Sequence, residues 1–293
     1  MTGPVLRRDA GDAAAAQPAS ARLDRGGAPS TEFDVLYREG LAAPTEGWDF
    51  TRFGDRLREE DPPWRYWDMV AGLALRAGAV LDLGTGGGEQ LAACWASARG
   101  RRPFTVATES WPPNVPVAAA RLRALGIPVV RSESAPDNDA QAAEELRGRL
   151  PFLDGTFALV IDRHEAFNAR EVNRVLAPSG VFLTQQVGGD YRDVYDLLEV
   201  AWPGRQPFSL GLAGRQLASA GLEIEASQEA WVTTAFADVA AFIWYLRQVP
   251  WAVPEVDLER DVSRLRALHE RIRVSGPVRV RHRAFWLRAV RAG

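Results

Sequence analysis

Short apolar stretches alternate with segments of helical character between residues 64 and 183. This alternation limits the possible folds more than any other feature. The stretches are apolar at successive positions, which is typical of strands covered on both faces. They lie at 79–83, 104–107, 127–130, 157–161 and 181–183, and the helical segments lie at 64–77, 90–98, 117–125, 140–147 and 169–176. The pattern predicts an α/β fold with a doubly wound parallel sheet.

A glycine-rich turn follows the first predicted strand, in the sequence VLDLGTGGGE at residues 80–89. Fixing glycine costs backbone entropy, so such a cluster indicates a tight turn or a close approach to a ligand. In doubly wound sheets, ligands bind at the carboxyl ends of the strands, and this first turn is the usual place. The turn is therefore the first candidate binding site.

Two nucleotide-binding motifs do not fit this turn. A phosphate-binding P-loop needs Lys followed by Ser or Thr, but Glu89 and Gln90 stand there. A dinucleotide motif needs a further Gly or Ala three positions after its second glycine, where this chain has Glu89 or Leu91. A carboxylate would also repel a pyrophosphate. The sequence therefore argues against a pyrophosphate ligand.

An acid two positions ahead of a glycine ladder resembles the first motif of the class I S-adenosylmethionine-dependent methyltransferases. The chain is most similar to the small-molecule branch that includes quinone-biosynthesis enzymes. The resemblance implies that S-adenosylmethionine is the cofactor, and that the glycines let the backbone approach its methionine and ribose portions. The residues implied on this turn are Asp82, Gly84, Thr85, Gly86 and Gly88.

The resemblance also implies a fold, a Rossmann-like and mostly parallel sheet of seven strands. Residues 222–232 would form the sixth strand and residues 278–289 the seventh. A helical insertion at about 238–273 would precede the last strand. It is either the wall that selects the methyl acceptor or an extra layer over the sheet edge, and its aromatic cluster comprises Phe242, Trp244, Tyr245 and Trp251.

Polar residues follow the other strands where the same cleft is expected. Glu109 would accept hydrogen bonds from the two ribose hydroxyls, as a carboxylate can. Ser110 follows it, and Trp111 would flank the adenine or anchor a loop. Ser134 stands where the family reads the adenine amino group, and Asp162 ends the fourth strand beside the expected methyl position.

Methyl transfer from a sulfonium is a direct displacement with a neutral leaving group, so a base is needed only when the acceptor carries a proton. His164 is the candidate base, and the alternative is a structural hydrogen-bonding role. The fourth strand is not followed by the second acid and Asn pair of a metal-dependent, catechol-type methyltransferase site. No metal is therefore expected.

Composition limits which partners the protein can bind through its overall charge and indicates the cellular compartment. The 35 basic and 38 acidic residues give a net charge of -3, so no overall field favours nucleic acid or an anionic membrane. Cys94 is the single cysteine, which excludes an internal disulfide and fits the cytoplasm. No apolar run is long enough to cross a membrane.

The chain divides into three parts. Residues 1–30 are rich in Ala, Gly, Pro and Ser and predict a disordered tail. Residues 31–63 form an aromatic N-terminal arm that either packs on the core or closes over a pocket. The resemblance implies that residues 64–293 form a methyltransferase domain.

Two other functions stay open. One is RNA methylation, since arginines cluster near the C-terminus, although alternate arginines on a strand are typical of a solvated face. They are Arg271, Arg273, Arg279, Arg281 and Arg283. The other is a non-catalytic module that binds S-adenosylmethionine without transferring its methyl group.

Overall fold

The computed structural model describes residues 31–45, 50–97, 102–133, 135, 138, 149–204 and 206–292. Three sequence predictions lie outside these ranges: the tail at 1–30, the helix at 140–147 and the role of Ser134. The other predicted strands and helices fall on described residues, except position 98 at the end of one helix.

The secondary structure follows the predicted alternation closely. The helices are α1 Glu32–Ala42, α2 Tyr66–Ala74, α3 Glu89–Ser97, α4 Asn114–Arg123, α5 Ala169–Val175, α6 Arg192–Leu197, α7 Leu210–Ser219, α8 Val239–Gln248 and α9 Val262–Ser275. The strands are β1 Leu57–Glu59, β2 Ala79–Leu83, β3 Phe104–Glu109, β4 Val129–Arg131, β5 Phe157–Arg163, β6 Leu176–Val187, β7 Leu222–Phe236 and β8 Val278–Arg291. A 3-10 helix spans Phe50–Arg56.

All the strands form one sheet in the order β1-β7-β8-β6-β5-β2-β3-β4. Strands β6, β5, β2, β3 and β4 pair in parallel, whereas β8 is antiparallel to both β6 and β7. The chain order reverses between β2 and β5, and such a switch point opens a crevice at the carboxyl ends of the two strands. This confirms the doubly wound, mostly parallel α/β fold.

The sheet has eight strands and not the predicted seven. The additional strand is β1, which comes from the N-terminal arm and pairs antiparallel with the end of β7. Its three residues were not recognised as a strand because a short edge strand has little hydrophobic pattern of its own. The arm is therefore part of the sheet.

Two hydrophobic cores cover the parallel part of the sheet, and a third lies beyond it. The third core packs α1, α8 and α9 against the extended ends of β7 and β8. Trp244 of α8 is 1% exposed, and its ring is tilted against that of Phe53 with centroids 5.4 Å apart. Its Nε1 donates to the Pro44 carbonyl at 2.8 Å. The insertion thus forms a helical layer with the arm.

The burial of Trp244 favours, for this residue, the second of the two expectations, an extra helical layer over the sheet edge. Phe242 is also fully buried, while Trp251 is exposed on the surface. Three of the four aromatic residues, Phe242, Trp244 and Tyr245, fill a core because α8 packs between the arm and the sheet. No described helix combines the length and the apolar character needed to cross a membrane.

Candidate functional site

The glycine turn after β2 has the conformation that its sequence predicts. Gly84, Gly86 and Gly88 have φ values of +63°, +62° and +78°, which only glycine adopts readily. The turn is fixed to β3, because the Thr85 backbone N–H donates to the Thr108 carbonyl at 2.8 Å. The three glycines therefore hold the backbone of the turn in a shape that other residues would strain.

Space above the turn is limited. A Cβ atom on Gly84 would lie 2.5 Å from Cβ of Glu165, so the Glu165 side chain stands directly against this glycine. A Cβ on Gly88 would meet the Leu122 side chain at 3.0 Å. Glycine is needed here both for backbone conformation and for close approach.

Four carboxylates converge on this turn from the ends of three strands. Asp82 belongs to β2, Glu109 ends β3, Asp162 lies at the end of β5, and Glu165 follows β5. Asp82 and Glu109 are each 4% exposed and Asp162 is fully buried. We call these four residues the acidic cluster. Its members come from distant parts of the chain and share the crevice because parallel strands end at one edge.

Burial raises the pKa of every member of the acidic cluster. The pKa of Asp82 rises to about 7, with a further contribution from the charge of Glu109. The pKa of Glu165 also rises to about 7, with Glu109, Glu133 and Asp82 adding to the effect of burial. Burial raises the pKa of Glu109, although backbone N–H groups at Gly86, Ser110 and Trp111 oppose the change.

Asp162 is held by several hydrogen bonds. Its Oδ1 accepts from the Glu165 backbone N–H at 3.1 Å, and its Oδ2 accepts from Gln186 Nε2 at 3.1 Å. Burial nevertheless raises its pKa well above the ordinary value, and the charge of Glu165 adds to this. The bonds fix its position but bring no positive charge.

Within the described ranges, no arginine or histidine forms an ion pair with any member of the acidic cluster. The same residues contain no group of three or more potential ligands placed to hold a metal ion. An unpaired buried carboxylate is costly unless it is protonated or meets a cation. The cluster therefore favours a ligand that carries positive charge.

The Thr85 hydroxyl also suggests a ligand at the turn. It lies near enough to Asp82 to favour the ionised carboxylate. Its oxygen is buried, however, and has no hydrogen-bond partner of ordinary geometry among the described groups. Buried hydroxyls normally have such a partner. The acceptor capacity of this hydroxyl is therefore available to a ligand.

A polar cleft of about 390 Å³ opens between the ends of β3 and β4. It is lined by Ser110, Trp111, Arg131, Ser132 and Glu133. Trp111 is 56% exposed, so its ring is free to cover a flat ligand group. Glu133, which the sequence analysis did not select, is the acid that the described residues place in this cleft.

His164 lies at the end of β5 with a φ value of +69°, an unusual conformation for a residue other than glycine. Trp64 Nε1 donates to Gln185 Oε1 at 2.8 Å, which turns the amide nitrogen of Gln185 toward His164 Nε2 at 3.1 Å. An amide nitrogen only donates, so Nε2 of His164 accepts and the ring proton lies on Nδ1.

His164 is exposed to water. Partial loss of solvation and the charge of Arg163 lower its pKa below the ordinary value. His164 is consequently a neutral imidazole at pH 7, held in one tautomer by Gln185.

The structure brings together most of the residues selected from the sequence. Asp82, the glycine turn, Glu109 and Asp162 meet at one place, with Ser110 and Trp111 at its edge. Ser110 Oγ donates to Glu165 Oε1 at 3.3 Å. Glu165, Gln185 and Trp64 were not selected as site residues. In the sequence, Glu165 is marked only by the run of charged residues that follows β5, and Gln185 only by the polar residues at the end of β6.

No protein-family model matches the chain, and no curated protein matches it. Many solved structures are similar in fold. One is a protein of Bacillus halodurans C-125 to which methyltransferase activity is ascribed. It is 19% identical with a TM-score of 0.49, and the similarity covers 78% of this chain and 97% of that one.

Two further solved structures have different activities in their names. A SAM dependent methyltransferase from Aquifex aeolicus is 17% identical with a TM-score of 0.44, covering 78% of this chain and 94% of that one. The cyclase SpnF is 16% identical with a TM-score of 0.45, covering 77% and 80%. At these values the likeness does not extend to function, which is inferred below from the residues of this chain.

Proposed function

We propose that this protein binds S-adenosylmethionine at the acidic cluster and transfers its methyl group to a small molecule. The observation that carries this proposal is a set of four carboxylates without a cationic partner beside a turn shaped by three glycines. S-adenosylmethionine brings a sulfonium and an ammonium group, which carboxylates attract. A nucleoside di- or triphosphate would be repelled by the same groups.

Each part of the site has a matching part of this cofactor. Asp82 and the Thr85 hydroxyl would hold the amino acid end at the glycine turn. Glu109 would accept hydrogen bonds from the ribose hydroxyls. The cleft lined by Trp111 and Glu133 would take the adenine, with the Trp111 ring against its face.

The reaction needs alignment and a dry site more than it needs chemical assistance. The bound cofactor supplies an electrophilic methyl group on a sulfonium that leaves as a neutral thioether. Asp162 and Gln186 hold the backbone at the end of β5 through their mutual hydrogen bond, which fixes the wall of the cleft. Alignment of this kind accounts for a large part of the rate in displacement reactions.

His164 would take a proton from an acceptor that carries one. It is neutral, as a base must be before it accepts a proton. Its Nε2 accepts from Gln185 in the free protein, so an acceptor hydroxyl or amine must replace the Gln185 amide to reach that atom. Trp64 and Gln185 thus act as positioning residues for His164.

Three of the five C-terminal arginines already have acidic partners, which favours a small molecule over RNA as the methyl acceptor. Arg281 donates to Asp193 at 3.2 Å, Arg283 forms an ion pair with Glu229, and Arg273 donates to Glu270 at 2.9 Å. Arginines that bind phosphates along RNA would need to be free on one face.

The test is a transfer of isotope-labelled methyl groups to fractionated cell extract, with small-molecule, RNA and protein pools counted separately. The proposal predicts label in the small-molecule pool. Label confined to RNA would favour the second enzymatic function. Binding of S-adenosylmethionine without label in any pool would indicate a non-catalytic module.

A further inference from the structure

The side chain of Glu165 fills the space in front of the glycine turn. A Cβ atom built on Gly84 would lie 2.5 Å from Cβ of Glu165 and 2.6 Å from its Cγ and Oε2. Carbon atoms that are not bonded to each other normally approach only to about 3.5 to 4.0 Å. A ligand atom therefore cannot contact this side of Gly84 while the Glu165 side chain keeps its place.

The glycine turn cannot move back to make room. The Gly84 backbone N–H donates to Thr108 Oγ1 at 3.3 Å, and the Thr85 backbone N–H donates to the Thr108 carbonyl at 2.8 Å. Thr108 is fully buried in β3, which is paired with β2 on one side and with β4 on the other. The position of the turn is therefore fixed by the sheet.

The backbone of Glu165 is fixed as well. Its N–H donates to Asp162 Oδ1 at 3.1 Å, and its carbonyl accepts from Gln186 Nε2 at 2.9 Å. Asp162 and Gln186 are both buried, so these bonds are protected from water. Only the side chain of Glu165 can therefore move out of the space in front of Gly84.

The side chain of Glu165 is held in this place weakly. Ser110 Oγ donates to Glu165 Oε1 at 3.3 Å, which is long for a bond between two oxygens. In the described part of the chain, no cationic side chain pairs with this carboxyl. Burial raises its pKa to about 7, and the charges of Glu109, Glu133 and Asp82 add to the effect. Because Glu165 is only half-buried, its side chain can turn toward water.

We propose that the Glu165 side chain is a latch, which closes the glycine turn in the free protein and turns away when the cofactor binds. This inference rests on the proposed function and adds a conformational control to the same site. Opening the latch breaks the bond from Ser110 and makes Gly84 accessible to the methionine portion of the cofactor. Because the cofactor binds only the open form, the latch lowers the apparent affinity in proportion to the open fraction.

The first experiment measures the association rate of S-adenosylhomocysteine by stopped-flow tryptophan fluorescence. This ligand lacks the sulfonium charge, so its association depends less on the charge of the carboxylates. Glu165→Ala removes the latch and should raise the association rate constant by about fivefold, the population ratio that one ordinary hydrogen bond sustains. Glu165→Gln removes only the charge and keeps the length and the acceptor oxygen, so it should match the wild type. Glu223→Ala, at an exposed position on β7, is the surface control and should also match it.

The second experiment breaks the same hydrogen bond from its other end, and it tests the latch even if Glu165→Ala does not fold. Ser110→Ala leaves Glu165 in place without its hydrogen bond, so the association rate constant should again rise. Adding Ser110→Ala to Glu165→Ala should give no further increase, because both substitutions act through one bond. Increases that multiply in the double variant would show that the two residues act independently and would overturn the latch.

The outcomes separate the latch from the proposed function. If wild-type protein binds neither S-adenosylmethionine nor S-adenosylhomocysteine, the proposed function fails and the latch fails with it. If wild-type protein binds both and transfers methyl groups, but neither Glu165→Ala nor Ser110→Ala associates faster with S-adenosylhomocysteine, the proposed function stands and the latch alone fails.

Discussion

Replacing Glu165 by Gln should separate S-adenosylmethionine from its product S-adenosylhomocysteine. The product lacks the sulfonium charge but keeps the rest of the molecule. Glu165 lies against Gly84 and accepts from Ser110 Oγ, and Gln keeps both its size and its acceptor oxygen. The substitution therefore removes a charge with little change of shape.

The size of the effect follows from the pKa of Glu165. Its rise from 4.5 to about 7 corresponds to roughly 3 kcal/mol for ionising the side chain within the acidic cluster. A cation that restores the ordinary pKa would recover at most this energy. At pH 7 about half of the carboxyl groups are ionised, so we expect a loss of about 1 to 2 kcal/mol, or roughly tenfold in Kd.

Titration calorimetry of both ligands at pH 7 checks this expectation. Glu165→Gln should weaken S-adenosylmethionine by roughly tenfold and S-adenosylhomocysteine much less. Glu223→Gln, an exposed acid on β7, serves as the control and should change neither Kd. An equal loss of affinity for both ligands would show that Glu165 acts through packing. Unchanged affinity for both would show that Glu165 is not part of the binding site.

Four other predictions follow from particular residues. Gly84→Ala should abolish cofactor binding, because its φ is +63° and its Cβ would meet Glu165. The control Gly126→Ala has a similar φ of +69° with free space around it, so it should lower stability and keep the Kd for the cofactor. Equal Kd values for the two variants in calorimetry would contradict the role given to the contact between Gly84 and Glu165. Trp244→Ala should reduce the free energy of unfolding by about 3 to 5 kcal/mol in urea titrations and leave the kinetics of the folded enzyme unchanged. A raised KM for the acceptor would instead show that Trp244 lines the acceptor-selecting wall. Gln185→Leu should raise the pKa of His164 toward its ordinary value, since the amide donor favours the neutral ring. NMR titration can follow the His164 resonance because the chain has only 3 histidines. An unchanged His164 pKa in the variant would refute the assigned tautomer. Finally, the free protein should lose about 1 kcal/mol of stability per group between pH 6.5 and 8, as Asp82 and Glu165 ionise with pKa values of about 7. A free energy of unfolding that does not change over this pH range would contradict the raised pKa values.

The sign of that last effect can be worked out from the two states. With a raised pKa, Asp82 and Glu165 bind more protons in the folded protein than in the unfolded chain between about pH 4 and 7, so stability falls as pH rises through 7. His282, with its pKa lowered to about 4, has the opposite effect, but only below the ordinary histidine value of 6.5. The window above pH 6.5 therefore isolates the carboxylates.

The parts of the site that could be predicted from the sequence are those with local signatures. The glycines carry their own backbone requirement, and Asp82 and Glu109 follow from their place at strand ends. The alternation of strands and helices also predicted the parallel sheet, because a buried strand is apolar at every position.

The parts that were missed depend on contacts between distant segments. Glu165 belongs to the cluster because its side chain lies against Gly84, and no local pattern reports that contact. The role of Trp244 stayed open in the sequence because aromatic residues line pockets as well as cores, and its contacts with Phe53 and Pro44 show that it is packed in a core. Strand β1 exists because β7 is long enough to extend past the parallel strands.

A calorimetric titration of wild-type protein with S-adenosylmethionine at pH 7, repeated in buffers of different ionisation enthalpy, tests the central claim most directly. The account predicts saturable binding that releases protons, since the cation would lower the pKa values of Asp82 and Glu165 from about 7. Parallel titrations with NAD and ATP should show no comparable affinity. Absence of binding, binding without proton release, or preference for a phosphorylated nucleotide would contradict the assignment of the acidic cluster as a site for a cationic cofactor.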